Sequence, residues 1–472
     1  MKIRINTGDW MLTMGMVGFH RVYNYGLAHN IIPENGNDLL KIHSIGFELN
    51  PDIFKYLPQA YFSYMLAEHS IYEREQERLR KSMGFAGKEE NFNDALGNVK
   101  RIINDNTKKI VRYFPEEVTG RLDAAQTKLK EIKKFDQYSE LKNCVSEFLE
   151  VAKLQEVDEK LTLNFVKAVI LRPFFGQPSF INVSKNNLTL QEQIKLFRDD
   201  YVQPVLLELD FQECVDGAKD KKEILAFLEE RKNYKPFATF LRQFKKLKYD
   251  EIKDIVENQT PQCSLLQNLP AYRNYEEMIF SPLGISTNKA LNFQWKQNKN
   301  LPTPISSLAK LVLFCAPAGC ALYGRWEGRG GQGEYRTYAG FVQAEGAFSD
   351  TIRRNNSFKN QKDKNDPFDK ILGVLIEDLR QKAGHILEHL FFVEFFSDYE
   401  SKKTALEYYH LPRFLAHYIK AHGKQLEKVT PRERFVRSVL LGQDPIYAVW
   451  SHLKWLIGKN HYTFGCYLAV RE

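Results

Sequence analysis

The chain has 472 residues, 43% of them hydrophobic and 13% aromatic, and a net charge of +8 at neutral pH. That length is too great for one ordinary core, which predicts two or three domains, and the apolar content argues against intrinsic disorder. A basic excess of this size permits a polyanionic partner without requiring one.

The opening MKIRINTGDW has no apolar run behind a basic region, so no secretory signal is expected. The longest apolar stretches, at 308–320 and 390–396, fall short of the roughly 18 residues that suggest a membrane span. Cys144, Cys214, Cys263, Cys315, Cys320 and Cys466 are scattered and read as reduced thiols of a cytoplasmic protein.

In chain order, residues 2–6 predict a short strand and the glycine-punctuated stretch 10–25 a helix. Residues 61–83 predict one helix with a charged second half, 122–157 a charged helical stretch, and 161–171 a buried helix ended by Pro173. A compact turn follows, Phe174-Phe175-Gly176-Gln177-Pro178-Ser179-Phe180, and then a helix over 190–209 interrupted at Pro204. Two basic amphipathic helices occupy 221–256, joined near Pro236. Residues 260–306 are rich in proline, asparagine and serine and read as irregular. Residues 308–313 predict a buried strand, 321–326 its hairpin partner, and 324–333 a glycine-rich loop. The polar run 349–369 predicts a linker, and beyond it 371–396, 403–422, 432–441 and 445–457 predict helices. The expected fold class is α+β and mostly helical. An irregular N-terminal α/β domain (1–348) would precede a C-terminal bundle of about four helices (370–472).

Several constellations could carry chemistry. His385-Ile386-Leu387-Glu388-His389 has the spacing of inverted zinc peptidases, in which two histidines one turn apart chelate zinc and glutamate activates water. A third ligand should follow, and Glu394 and Glu407 are candidates; a helical polar stripe produces the same short string. The loop 324–333 matches no phosphate-binding fingerprint, but it sets Arg325, Arg329 and the nearby Arg336 on a flexible backbone that can approach a phosphate chain. A solvated hairpin tip would look the same. The basic helices interleave aromatics with lysines, which fits a nucleic-acid groove and equally a helix with an aromatic core face and a solvated lysine face. Lys420, Lys424, Lys428, Arg432, Arg434 and Arg437 cluster with few acids between them and could track a single-stranded backbone. No nucleophile elbow, nuclease pair or ATPase motif is visible, which agrees with binding more than with catalysis.

Four stretches in this order resemble the large subunit of type I-B Cascade, the CRISPR surveillance complex, in its bacterial branch. They are the opening segment through Thr7-Gly8-Asp9-Trp10 with Gly15-Met16-Val17-Gly18-Phe19, then Ala60-Tyr61-Phe62, then Phe174-Phe175-Gly176-Gln177-Pro178-Ser179-Phe180-Ile181-Asn182, and Phe280-Ser281-Pro282-Leu283-Gly284 with Asn292-Phe293. The likeness covers about the first 300 residues. Relatives carry paired Cys-x-x-Cys motifs ahead of the last of these, where this sequence has only Cys263, so no metal and no cofactor are expected.

The resemblance implies a non-enzymatic DNA-recognition subunit. Guide crRNA reads the target by base pairing, while protein reads a short flanking motif (the PAM) in double-stranded DNA and helps open it. The implied partners are the crRNA, target DNA, the backbone, handle-binding and small Cascade subunits, and a separately recruited helicase-nuclease. Carried onto this sequence, Gln177, Ser179, Asn182 and Asn186 would meet groove edges or wedge between strands, and Lys185, Arg325, Arg329 and Arg336 would hold phosphates. The basic residues of the bundle, with Arg353 and Arg354, would guide the displaced strand. A tight structural turn at 176–179 is the competing account of that segment. The competing accounts of the whole chain are a zinc hydrolase built on His385, Glu388 and His389, and a helical scaffold without nucleic-acid contact.

Overall fold

The computed structural model describes residues 2–283, 303–329, 332–344, 346–360, 390–398, 403–411, 421–422, 425 and 428–471. The chain forms two compact units. One gathers Met1–Leu57, Pro173–Gly176 and Tyr201–Glu472, and the other comprises Pro58–Arg172 and Gln177–Asp200. The fold is mostly helical α+β, as the sequence predicts. No helix among the described residues is long and apolar enough to cross a membrane.

The first unit opens with strand β1 (Ile3–Asn6), helix α1 (Trp10–Ala28) and strands β2 (Leu40–His43) and β3 (Gly46–Leu49). The strands pair antiparallel in the order β1-β3-β2. Asp9 starts α1 by accepting the Leu12 amide at 2.8 Å, a side-chain cap for an N–H that has no partner within the helix. Burial holds the Asp9 carboxyl above the usual carboxylate range. The helix is buried along most of its length, so it lacks the one-sided apolar stripe of a surface helix.

The second unit is helical. It contains α2 (Leu57–Glu68), α3 (Ile71–Ala86), α4 (Phe92–Tyr113), α5 (Glu116–Glu131), α6 (Tyr138–Ala152), α7 (Gln155–Phe165) and α8 (Leu190–Phe197). The single helix expected over 61–83 is two. Ser70 breaks it by capping the Glu73 amide at 3.1 Å while donating to Asp158 at 2.8 Å. Leu79, Val99, Ile110, Leu122, Leu141 and Phe148 build the core between α3 and α6. The chain continues from α7 through a wide π-turn, Val166–Leu171. There Lys167 is buried and donates to the Gln193 side chain at 3.1 Å. Desolvation, with the charge of Lys160 as a smaller cause, lowers its pKa to about 8.

Back in the first unit come α9 (Gln203–Gly217), α10 (Lys221–Glu230) and α11 (Lys235–Phe244). The helical run expected over 190–209 is interrupted just before Pro204 by a π-turn, Arg198–Val202, and Pro204 lies in the first turn of α9, a position that tolerates proline. Next are α12 (Ser307–Phe314), β4 (Ala321–Arg329), β5 (Gln332–Ala344), α13 (Phe348–Asn360), β6 (Leu390–Asp398) and β7 (Lys403–Leu411). The helices α14 (Arg432–Leu440), α15 (Ile446–Gly458) and α16 (Phe464–Arg471) close the chain.

Four predicted stretches change type. Residues 308–313 are helical, not a strand: the Ser306 hydroxyl accepts the Ala309 amide at 3.2 Å and caps α12. Residues 390–396 and 403–411 are strands where helices were expected, and 349–360 of the expected linker are helical. Within the expected C-terminal bundle, residues 390–398 and 403–411 instead join β4 and β5 in an antiparallel sheet of order β4-β5-β6-β7, and residues 370–389 lie outside the described residues. Residues 308–313 are a short run buried on every side, and periodicity cannot separate helix from strand in such a run. The aromatic and β-branched content of Leu390–Asp398 suits a doubly covered strand.

One face of the sheet carries Tyr323, Tyr338, Val342, Phe392 and Tyr409, which share a core with Phe358 of α13 and with Phe435, Val449, Leu456 and Leu468 of the last three helices. On the other side of the unit, α1 meets α12 and the turn Ala316–Gly319 with backbone against backbone. A Cβ on Gly15 would run into the carbonyl of Val312, one on Gly18 into that of Cys315, and one on Gly319 into that of Met14. Arg21 donates to the Ala318 carbonyl at 2.7 Å, to the Cys320 carbonyl at 3.2 Å and to Asn356 at 2.9 Å.

Gly18→Ala is expected to destabilise the chain by about 1–3 kcal/mol or more through overpacking. Gly97→Ala, in α4 with open space at the Cβ position, is expected to stabilise it by about 0.5–1 kcal/mol. Thermal unfolding of both variants checks the pair. A second expectation concerns Lys167. Its folded pKa of about 8 lies below the ~10.4 of an exposed lysine, so the unfolded chain binds more protons in that window and stability rises with pH there. Urea unfolding between pH 8 and pH 10 should show this rise in the parent and a flatter profile in Lys167→Met.

Candidate nucleic-acid interface

Distant segments of the first unit converge on one aromatic cluster. Trp10, from the end of the opening strand-and-helix segment, lies 5.8 Å from Phe280 and 5.8 Å from Phe395. Phe174 lies 6.0 Å from Phe280 and 5.2 Å from Phe395. The Trp10 indole N–H donates to the Tyr408 hydroxyl at 2.8 Å, so the ring is fixed in orientation as well as position. The segments around residues 10, 174 and 280, singled out by resemblance, are thus physically joined through their aromatic side chains. In the second unit, Phe180 packs 4.9 Å from Phe62, which joins the segment at 60–62 to the later part of the turn.

The turn 176–187 has unusual local geometry. Gly176 has φ +71° and Ser179 has φ +52°. The first suits glycine. The second is a left-handed conformation that costs a serine about 1–2 kcal/mol. The Ser179 hydroxyl is buried without a hydrogen-bond partner, which adds a desolvation cost of about 1–3 kcal/mol. Strain of this kind clusters at ligand clamps and active sites. Asn182 is engaged locally, its side-chain oxygen accepting the Ser184 amide at 2.9 Å. Gln177 and Asn186 are half-buried, and Lys185 is exposed. The turn is therefore both a structural turn and an unusual one.

Gln177, Ser179, Asn182, Lys185 and Asn186 belong to the second unit, and Arg325, Arg329 and Arg336 to the first. The stretch expected as a glycine-rich loop is mostly strand, the paired arms of β4 and β5, whose register sets Arg325 opposite Arg336 and Arg329 opposite Gln332. The Arg336 guanidinium lies 4.7 Å over the ring of Phe396.

The cations expected to guide a displaced strand divide by environment. Arg354 is 2% exposed and Arg437 donates to Glu407, so both serve the interior. Arg353 is exposed and 3.6 Å from Asp350. Lys428 and Arg434 are exposed and Arg432 is half-buried. Lys420 and Lys424 lie outside the described residues. In the basic helices, Phe211, Phe237 and Phe244 form a core, while Glu229 lies 2.8 Å from Lys232 and 3.4 Å from Lys245. The aromatics there are interior and the lysines solvated or paired.

Two buried polar networks were not legible in the sequence. Glu208 accepts from the Tyr234 hydroxyl at 2.5 Å, the Ser307 hydroxyl at 2.6 Å and the Ser307 amide at 2.9 Å. It ties α9 and α11 to the N-terminus of α12, and desolvation raises its pKa against these bonds. Glu394 accepts from Tyr323 at 2.6 Å and from Tyr409 at 3.0 Å, while Tyr409 also bonds Glu407. Both candidate third ligands for zinc are therefore engaged elsewhere. The string 385–389 lies outside the described residues, among which no group of three or more His, Cys, Asp and Glu is placed to hold a metal.

Residues 258–321 match the model of a family described as CRISPR-associated protein (Cas_CXXC_CXXC). The match supports a CRISPR-associated protein. No curated protein and no solved structure matches the chain. The matched stretch contains Phe280 and α12, together with the turn Ala316–Gly319 that receives α1. Its cysteines depart from the paired motifs in the family's name: Cys263, Cys315 and Cys320 form no Cys-x-x-Cys. Leu266 stands three residues after Cys263, its amide donating to the Cys263 sulfur at 3.3 Å, and both residues are buried. An apolar side chain thus fills the position of a second ligand, and the residues do not fit a tetrahedral thiolate site.

Ser179→Gly is expected to raise stability by about 1 kcal/mol or more, because it relieves the left-handed strain and removes the orphaned hydroxyl. Ser179→Ala, which keeps the strain and removes only the hydroxyl, should gain less. Urea unfolding of the two variants beside the parent measures the difference. A parent more stable than both would mean that Ser179 makes a bond within the folded chain.

Proposed function

We propose that this protein is the large subunit of an RNA-guided type I-B CRISPR surveillance complex, a DNA-recognition component without catalytic activity of its own. The match of residues 258–321 to a CRISPR-associated family carries the reading at its coarser level. The finer assignment rests on the order of the four segments the chain shares in appearance with such subunits. Its physical support is the packing of Trp10, Phe174 and Phe280 into one cluster. In this reading the crRNA supplies sequence recognition. The chain reads the flanking motif in duplex DNA, helps open it, and leaves degradation to a recruited helicase-nuclease.

The strained turn is the motif-reading element. A residue held in a costly conformation with an unsatisfied hydroxyl is prepared for a partner that supplies the missing bond. Gln177 and Asn186 carry amide groups suited to base edges. Lys185 and Arg329 contribute phosphate contacts, which add affinity without sequence information.

The test is co-purification with the backbone and handle-binding subunits and crRNA, followed by binding to target DNA with and without the flanking motif. Gln177→Ala combined with Asn182→Ala is expected to weaken motif-dependent binding by about 5- to 150-fold, the range for lost base contacts. Arg329→Ala should weaken all DNA alike and lower the salt slope by about one. Failure of the chain to join any ribonucleoprotein would remove the proposal.

A further inference from the structure

The matched stretch begins with a loop that has almost no regular structure, yet the loop is closed on itself. Gln262 and Pro270 form an isolated antiparallel bridge. The Cys263 amide donates to the Leu269 carbonyl at 2.8 Å, the Ala271 amide to Pro261 at 2.9 Å, and the Leu269 amide to Leu266 at 2.9 Å. The loop is also tied outward. The Ser264 amide donates to the Pro304 carbonyl at 3.0 Å, Arg273–Asn274 pair with Pro304–Ile305, and the Asn268 side chain donates to the Arg4 carbonyl of β1 at 3.1 Å.

A short irregular loop keeps such a shape only when something crosslinks it: an ion, a disulfide or buried side chains. Cys263 is a free thiol, which removes the disulfide. Its sulfur accepts the Leu266 amide, a bond turned into the loop. Cys263, Leu266 and Leu269 are buried, while Gln262, Ser264, Gln267 and Asn268 between them are exposed. Every third residue thus points inward, and two of the three are leucines, which cannot ligate an ion.

The other two cysteines of the matched stretch have work elsewhere. The Cys315 carbonyl faces Gly18 of α1 in the close backbone contact, and the Cys320 thiol donates to the Pro317 carbonyl at 3.6 Å. Burial pushes both thiols up, that of Cys320 to about 12, away from the thiolate that zinc requires.

We propose that residues 261–271 form a metal-independent knuckle, in which buried Cys263, Leu266 and Leu269 supply the crosslink that an ion supplies where the cysteines are paired. The loop then holds the Pro304–Ile305 strand and β1 without zinc. The proposal rests on the family match and not on the assignment to a surveillance complex.

The test uses the isolated full chain, produced in zinc-supplemented medium. Elemental analysis should find well below one zinc per chain, and 1,10-phenanthroline should leave the thermal midpoint where it is. Alkylation of Cys263, followed peptide by peptide in the mass spectrometer, reads the loop itself. Leu266→Ala should speed this labelling by about 30-fold or more, the equivalent of the lower cost of emptying a buried leucine site. Leu266→Met, which refills the space, should stay within about 10-fold of the parent.

One tightly held zinc per chain, whose removal lowers the midpoint, overturns the proposal. So does a Leu266→Ala chain in which Cys263 is labelled no faster than in the parent. Should that variant fail to fold, the metal content and chelator response of the parent still decide. None of these measurements involves crRNA or DNA, so their failure is distinct from failure of the functional reading.

Discussion

The first unit depends on the contact of α1 with α12 and the turn Ala316–Gly319. Three glycines, at 15, 18 and 319, allow the two backbones to meet at a distance that any side chain would prevent. Such contact excludes water from polar backbone groups, which then need partners within the protein. Arg21 supplies them for the carbonyls of Ala318 and Cys320 and reaches Asn356 of α13 as well. A long-range contact between residues near 15 and residues near 315 thus holds the N-terminal segment against the part of the chain that matches the CRISPR-associated family.

From that contact the aromatic cluster follows. With α1 seated, its first residue, Trp10, points to Phe280, Phe395 and Tyr408. Rings 5–6 Å apart contribute beyond the area they bury, because edges and faces of opposite partial charge meet. The central sheet is consequently covered on both faces. One meets this cluster, and the other meets α13 and the C-terminal helices. Glu394 and Glu407 lie opposite one another in the β6–β7 register, and hydroxyls and Arg437 offset the cost of bringing them together. Glu394 is buried, while Glu407 and Arg437 are partly exposed, and their ion pair ties β7 to α14.

Asn355 bonds both the amide and the carbonyl of Val342, whereas the buried hydroxyls of Thr107 and Ser179 have no partner. Ser179 combines a left-handed backbone with an orphaned hydroxyl.

The sequence alone was enough for α1, for the helices at 221–244, for the mostly helical α+β class and for the order of segments that suggested a CRISPR complex. Glycine, proline and cap residues act locally, so their meaning can be read where they stand. It was not enough for residues 308–313, 390–396 and 403–411, whose helix or strand identity was reversed. Periodicity reports exposure on one side, and a segment covered on several sides, such as 308–313, has none to report. Nor could it distinguish Arg437 and Arg354, held in the interior, from Arg434, which faces solvent, because a cation's partners come from residues distant in the chain. Tertiary packing decided those cases, and it alone brought residues 10, 174 and 280 to one place.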